Sequence, residues 1–485
     1  MAETVANEFN YAEYMRGLVT RSRAAQKIAE GYDQKRVDEL CEAVSFAACN
    51  EEFRAKAAQM LVDEGKMGDY TSKFNKIKNK AMGVYRDMKG EKSVGIIETD
   101  TEKNLVTYIK PMGVIGAITP STNGEATPIV KALWALKARD SLIISPARVA
   151  KNTAWYVTTY IRKVLKEMGA PEDLIICIDP EYVGRESSAE MMKQVDFIVA
   201  TGGNKLVRSA YSSGTPAIGV GAGNDITYID DTADLADAAK KIHISQVFDC
   251  SLSCSSENNV IANEKIYDDF IKACEAEHCY IARNGSEEKA ALTRTIWNKW
   301  PESTDRNRAV VGQSVQKIAE IAGIKIPEDA EWILIEELDG YGKGFVTTSE
   351  KLCPVASLMP AKDFETALDM MEVILDFQGN GHALGIHTTD YDNLDVMGRR
   401  MHVARILCNQ SQSLGNAGAW FNGMPITMSL GCSTWGGNST SRNVTWRDVT
   451  NLTIVSRPVE AIIPTEEELY SAECRAHAFA PDPVE

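Results

Sequence analysis

Hydrophobic positions divide the chain before any single residue does. From residue 10 to about 92 apolar residues recur every three or four positions, as in YAEYMRGLVTRSRAAQKIAEGY and QKRVDELCEAVSFAAC, a spacing that predicts amphipathic helices. The period then changes. SVGIIETDTEKNLVTYIKP sets two short β-rich runs on either side of a polar TDTEKN and predicts a hairpin near 94–110, suited to packing or subunit contact. From Met112 buried-strand runs alternate with helical patterns: GVIGAITP, ATPIVKALWALKAR, SLIISP, TAWYVTTYIRKVLKEMG, DLIICID, SSAEMMKQV and DFIVATGG. A second alternating block, from about 227 to 430, holds ITYID, ADLADAAKKIHISQVF, NNVIA, KIYDDFIKACEAE, WILIEE, FETALDMMEVI and ARILCN. Such alternation predicts α/β domains with doubly wound parallel sheets, which bind ligands beyond the carboxyl ends of their strands.

Composition narrows the classes without changing the picture. At 485 residues, 44% hydrophobic and 25% charged, the chain is globular and too long for one simple core. A net charge of −16 argues against nucleic acid or an anionic membrane as the main partner, while leaving room for a local basic pocket. Eleven cysteines without pairing rhythm argue against a secreted disulfide framework. The opening residues carry no continuous apolar stretch of a secretory signal, and no run reaches the roughly 20 apolar residues of a membrane span. A soluble cytoplasmic protein is expected.

Three stretches carry candidate chemistry. DFIVATGGNKLVRSAYSSG runs from a strand through Thr201, Gly202 and Gly203 into a helix, where backbone N–H groups can approach a dinucleotide phosphate; a plain strand-to-helix turn reads the same way. AIGVGAGNDITYID alternates Gly219, Gly221 and Gly223, which strand geometry puts on one face, open to another backbone or a flat ligand. AITPSTNGEATP ends a strand near Asn123, whose amide either donates to a developing oxyanion or caps the next helix. In QVFDCSLSCSSENNVIA, Cys250 and Cys254 lie among serines rather than apolar neighbours. No second cysteine pair or histidine cluster follows at zinc-ligand spacing, so no metal is expected, and a reactive thiol is the stronger reading.

PMGVIGAITPSTN, ATGG, AYSSGTPAIGVGAGN, FDCSLSCSSEN, SEKLCPV, GHALGIH and LGCSTWGGNS, in this order over about residues 15–460, resemble the CoA-acylating aldehyde dehydrogenases of the aldehyde dehydrogenase superfamily. The pattern is most similar to members acting on sulfoacetaldehyde, with succinate-semialdehyde and acetaldehyde members as alternatives. The resemblance implies a dinucleotide-binding domain over 1–228 and a catalytic domain over 229–430. It also implies a C-terminal return over 431–485, whose strands join the 94–110 hairpin in a flap of a homodimer or homotetramer. NAD or NADP and coenzyme A are the implied cofactor and co-substrate.

Residue by residue, Cys254 matches the nucleophile, Cys250 a non-catalytic position, and Asn123 the amide that holds the oxyanion. Thr201, Gly202, Gly203, Pro146 and Arg148 match the cofactor side, and Glu350 the carboxylate that positions the nicotinamide ribose. Arg148 and Lys151 follow a strand, either to meet an adenosine 2′-phosphate or as the basic residues that helix starts carry for other reasons, so NAD and NADP both stay open. Hydrolytic members place a glutamate in ELGG to activate water. Gly219 is the matching position here, so an acyl group on Cys254 would wait for the thiol of coenzyme A, with the glycine leaving space for it. His382 matches a family histidine near the active site, either orienting CoA or cofactor or structural. Arg442 replaces an acidic residue of relatives and is either a binder of sulfonate or carboxylate or a surface arginine. Glu125, close to the reacting centre, would oppose an anionic substrate unless it points away. Hydrolysis with Glu257 or Glu125 as base is the rival reading, and a catalytically silent scaffold the remote one.

Overall fold

The computed structural model describes residues 9–221 and 223–477. Four helices open the chain: α1 (Tyr11–Glu30), α2 (Gln34–Ala47), α3 (Glu51–Gly65) and α4 (Tyr70–Met88). Each starts on a side-chain cap. Asn10, Asp33, Asn50 and Asp69 accept from the N–H three residues on and satisfy a donor that the helix itself leaves unpaired. The hairpin follows as β1 (Gly95–Asp100) and β2 (Leu105–Pro111), paired antiparallel.

The first sheet holds β3 (Val114–Ile118), β4 (Ser141–Ser145), β5 (Ile175–Cys177), β6 (Phe197–Thr201) and β7 (Ala217–Val220), all parallel in the order β5-β4-β3-β6-β7. Its crossovers are α5 (Thr127–Ala138), α6 (Lys151–Glu167), α7 (Arg185–Gln194) and α8 (Asn204–Tyr211). Every residue of α5 is buried, as its nearly unbroken apolar composition requires. The strand order reverses between β3 and β6, which makes their carboxyl ends the topological switch point.

The second sheet is also parallel, in the order β10-β11-β12-β9-β8-β13-β14. It is built from β8 (Asp225–Ile229), β9 (Glu257–Asn263), β10 (Cys279–Ala282), β11 (Trp332–Glu336), β12 (Val355–Ala361), β13 (Gly381–His387) and β14 (Val403–Cys408). Helices α9 (Leu235–Val247), α10 (Tyr267–Ala276), α11 (Glu287–Ile296), α12 (Val315–Ala322), α13 (Phe364–Phe377) and α14 (Tyr391–Arg400) connect them. One core layer packs α13 on β8, β9, β12 and β13, and another packs α9 and α10 on the opposite face. The periodicity had not marked β10, β12 or β13. β12 and β13 are covered on both faces, so neither shows the alternation of a half-exposed strand.

The chain changes sheets after β7 ends at Val220 and before β8 begins at Asp225, earlier than the expected boundary at 228. Both sheets belong to one compact body, formed by the residues up to Glu91 and by Pro111–Thr450. A second body comprises Lys92–Lys110 and the residues from Asn451 on. In the latter, β15 (Thr450–Ser456) lies beside β2 to make a three-stranded sheet, β1-β2-β15, with Leu452 and Ile454 exposed. Among the described residues no helix is long and apolar enough to cross a membrane.

Gly223 governs the crossing between sheets, because a Cβ there would lie 2.1 Å from the Cys254 carbonyl oxygen and 2.9 Å from His382 Nδ1. Gly223→Val is expected to cost about 1–3 kcal/mol in urea unfolding. Gly17→Ala, on an open face of α1 with nothing within 4 Å of the new Cβ, should be neutral or stabilise by up to about 1 kcal/mol.

Candidate active site

A cleft of about 2080 Å³ opens where the carboxyl ends of β3, β4, β6 and β7 meet the loop that precedes β9. That is roughly twice the ~1,000 Å³ that bounds ordinary single-ligand sites. Cys254, Asn123, Thr201, Gly202, Gly203, Pro146, Arg148 and Glu350 all line it.

The loop carrying Cys254 is held in an unfavourable conformation. Asp249, Cys250 and Ser251 have φ of 50°, 51° and 54°, a region that costs L-residues about 1–2 kcal/mol each. Helix α4 supplies the restraint. The buried Asp249 carboxylate takes Lys73 Nζ at 3.0 Å, Lys76 Nζ at 2.8 Å and the Asp69 N–H at 3.1 Å, while the Asp249 N–H donates to Ser72 Oγ at 3.0 Å. Ser251 Oγ closes the loop on the Gln246 carbonyl at 2.9 Å. Cys254 is half-buried and faces the cleft. Cys250 does not line it, and burial, with Asp69 and Asp249 nearby, pushes that thiol up to about 12.

Asn123 follows β3 in a short 3₁₀ turn, Ser121–Asn123. It does not cap α5, whose N-cap position is Ala126, without a side-chain bond. Its carboxamide oxygen instead accepts from Lys76 Nζ at 2.6 Å. With the oxygen so held, the N–H₂ is turned the other way; one hydrogen goes to Thr122 Oγ1 at 3.1 Å, and the amide keeps a second to donate. Lys76 also lies 3.0 Å from Glu125 Oε1. Burial opposes the charge on Lys76, but Asp249 and Glu125 outweigh it and hold the ammonium above its ordinary value. Glu125 therefore lies fully buried against a cation and off the cleft lining. Glu257 is buried too, accepts from the Gln412 N–H at 3.0 Å, and is pushed by burial up to about 8.

At the other end, Gly203 immediately precedes α8, and a Cβ there would meet nothing within 4 Å, so the backbone at the start of that helix is open to the cleft. Thr201 Oγ1 lies 3.2 Å from Ser429 Oγ and 3.3 Å from Lys131 Nζ, which fixes the turn. Of the two basic residues after β4, Arg148 lines the cleft, whereas Lys151 donates to the Pro180 carbonyl at 2.9 Å and does not. Arg185 and Lys205 line it as well and carried no sequence signal. Glu350 is buried with Arg306 Nη1 2.6 Å away; burial pushes its carboxyl up and Arg306 opposes the shift.

Two residues are not where the sequence reading put them. Gly219 faces α8: a Cβ there would lie 2.4 Å from Val207 Cγ1 and 3.1 Å from Tyr211 Oη, so the glycine accommodates helix packing and leaves no space for a thiol. Val220 and Gly221 line the cleft in its place, and only Gly219 of the three alternating glycines lies in a strand. Arg442 is 76% exposed, pairs with Asp448 at 3.1 Å and is absent from the cleft. His382 is fully buried behind the Cys254 loop, with Nδ1 2.7 Å from Asp225 Oδ1. Asp225 holds the imidazole well above its ordinary value against the opposing effect of burial.

Lys76 escaped the sequence reading because SKFNKIKNK reads as a solvated helix face, and Asp249 because its stretch, QVFDCSLSCSSENNVIA, draws notice for its cysteines. Lys76→Met leaves Asp249 and Glu125 short of a buried counter-charge. It is expected to cost about 3–5 kcal/mol in denaturant unfolding, with the Cys254 loop losing protection in hydrogen exchange.

The chain matches the model of the aldehyde dehydrogenase family over residues 24–320. It is 40% identical over 453 residues to a sulfoacetaldehyde dehydrogenase of Acholeplasma sp, covering 93% of this chain and 92% of that one. It is 41% identical over 453 residues to the sulfoacetaldehyde dehydrogenase (acylating) of Bilophila wadsworthia, covering 93% and 96%. Its fold is similar to the crystal structure of an acetylating aldehyde dehydrogenase from Geobacillus thermoglucosidasius, with a TM-score of 0.88 at 33% identity, over 94% of this chain and 98% of that one. The chain belongs to the aldehyde dehydrogenase family.

Proposed function

We propose that the chain is a CoA-acylating aldehyde dehydrogenase, with sulfoacetaldehyde as its aldehyde. It interconverts aldehyde, coenzyme A and NAD(P)⁺ with acyl-CoA, NAD(P)H and a proton. The observation that carries this reading is that Cys254 and the Lys76-anchored Asn123 line one cleft, while the buried carboxylates around it are tied to other groups. The Cys254 thiolate attacks the aldehyde carbon, and the Asn123 amide and the local backbone take the developing oxyanion. A bound nicotinamide dinucleotide supplies the hydride acceptor. The cleft fits such a group: the open backbone at Gly203 and α8 suits the pyrophosphate, Arg148, Arg185 and Lys205 add positive charge, and Glu350 is the carboxylate for the ribose. The coenzyme A thiol, losing its proton, then attacks the resulting thioester, takes the acyl group and releases the Cys254 thiolate.

Transfer to a thiol rather than to water follows from the state of the nearby acids. Asp249 and Glu125 are paired with lysines, and Glu257 lies off the cleft, with a proton affinity that leaves it largely protonated at neutral pH. None is placed to deprotonate water. The choice between NAD and NADP is part of the proposal only as far as Arg148, which faces the cleft where a 2′-phosphate would be met. A cytoplasmic location, and a homodimer or homotetramer joined through the β1-β2-β15 sheet, belong to the same reading; exposed Leu452 and Ile454 support the latter.

The test is aldehyde oxidation followed with and without coenzyme A. Without it, turnover should fall by about 10²–10⁴-fold, the usual contribution of a missing general base, after a single acylation visible as added mass on Cys254. Free acid formed at a comparable rate in thiol-free buffer would overturn the reading in favour of hydrolysis. Asn123→Ala is expected to lower kcat by about 10²–10³-fold. Cys254→Ala should remove activity and the mass adduct together, whereas Cys250→Ala should keep both.

A further inference from the structure

Lys80 stands one helical turn beyond Lys76 on α4 and lines the same cleft. Its ammonium carries three donors; one reaches the Ala417 carbonyl at 3.1 Å, and among the described residues no carboxylate lies within ion-pair distance. The charged groups around it are already committed. Lys76 is held by Asp249, Glu125 and Asn123. Asp87, the acid that favours the charge on Lys80, accepts from the Ile426 N–H at 2.6 Å and pairs with Arg86 at 2.7 Å. Burial and the neighbouring Lys76 push the Lys80 ammonium down to about 7, against Asp87. A half-buried cation with unused donors and no counter-ion is unfavourable unless something anionic completes it.

We propose that Lys80 determines substrate specificity by pairing with the anionic group, sulfonate or carboxylate, at the far end of a short aldehyde. The proposal rests on the reaction proposed above, with the carbonyl placed between Cys254 and Asn123. Residues four apart on a helix are neighbours on one face, with Cβ atoms about 5–6 Å apart, so the lysine that anchors Asn123 and Lys80 reach the same cleft side by side. Asn123 is anchored by the first of these cations and the anion is received by the second. Arg442, the arginine that the motif pattern offered for this task, is turned to solvent and paired with Asp448.

The test compares kcat/KM for sulfoacetaldehyde, succinate semialdehyde and acetaldehyde, at saturating coenzyme A and dinucleotide, in the wild type and in Lys80→Met, Lys80→Gln and Lys80→Arg. The wild type should prefer an anionic aldehyde to acetaldehyde. Lys80→Met and Lys80→Gln should reduce that preference by about 10- to 100-fold, mainly through KM, the usual effect of losing a charged hydrogen bond. Lys80→Arg should keep most of it, and which anionic aldehyde suffers more distinguishes sulfonate from carboxylate. Competitive inhibition of the wild type by 2-hydroxyethanesulfonate, lost in Lys80→Gln, provides a readout independent of turnover. An unchanged preference in the variants, an equal fall for charged and neutral aldehydes, or no inhibition of the wild type by the sulfonate would overturn the proposal. Failure of the wild type to form acyl-CoA from any of the three would instead overturn the reaction itself.

Discussion

One ammonium group organises the reacting end of this molecule. Lys76, almost wholly removed from solvent, is shared by the carboxylates of Asp249 and Glu125 and by the amide oxygen of Asn123. Each contact settles a different matter. The bond to Asp249 ties the left-handed stretch before Cys254 to helix α4. The bond to Asn123 settles which end of that amide is presented as donor. The bond to Glu125 neutralises an acid that would otherwise repel an anionic ligand. A lone buried ammonium would be too costly to keep charged, and a lone buried carboxylate likewise, so Lys76, Asp249 and Glu125, with Lys73 as the second partner of Asp249, persist as a set.

The same pairing bears on the fate of an acyl group. A thioester survives in water for as long as nothing deprotonates a nearby solvent molecule. Asp249 and Glu125 act as counter-ions to Lys73 and Lys76, and burial leaves Glu257 holding its proton. In the reaction proposed above, protection of the thioester would stem from the electrostatic commitments of these carboxylates. The glycine at 219 contributes differently: it lets β7 pack closely on α8.

The passage of the chain from one sheet to the other explains how residues from both share one cleft. The carboxyl ends of β3, β4 and β6 supply Asn123, Pro146, Arg148 and the Thr201–Gly203 turn, while Cys254 comes from just before β9. Strands of the first sheet point their carboxyl ends at the cleft, and the second sheet reaches it through the loops before β9 and β12, which carry Cys254 and Glu350. Gly223 lets the connection pass close against the Cys254 carbonyl.

By itself the sequence determined the alternation of strands and helices, the hairpin, the turn at Thr201–Gly203, the accessible cysteine at 254 and the amide at 123, because each rests on local pattern or on a motif contiguous in the chain. It left β12 and β13 unmarked, since strands buried on both faces lose their period. Only the tertiary structure decided that Lys76 and Lys80 face a cleft rather than solvent, that Gly219 looks toward α8, and that Arg442 lies outside. Periodicity states which side of a helix or strand is buried, but not what it is buried against. For a charged side chain that partner, often more than a hundred residues away, fixes whether it is surface, structural counter-ion or ligand-binding group.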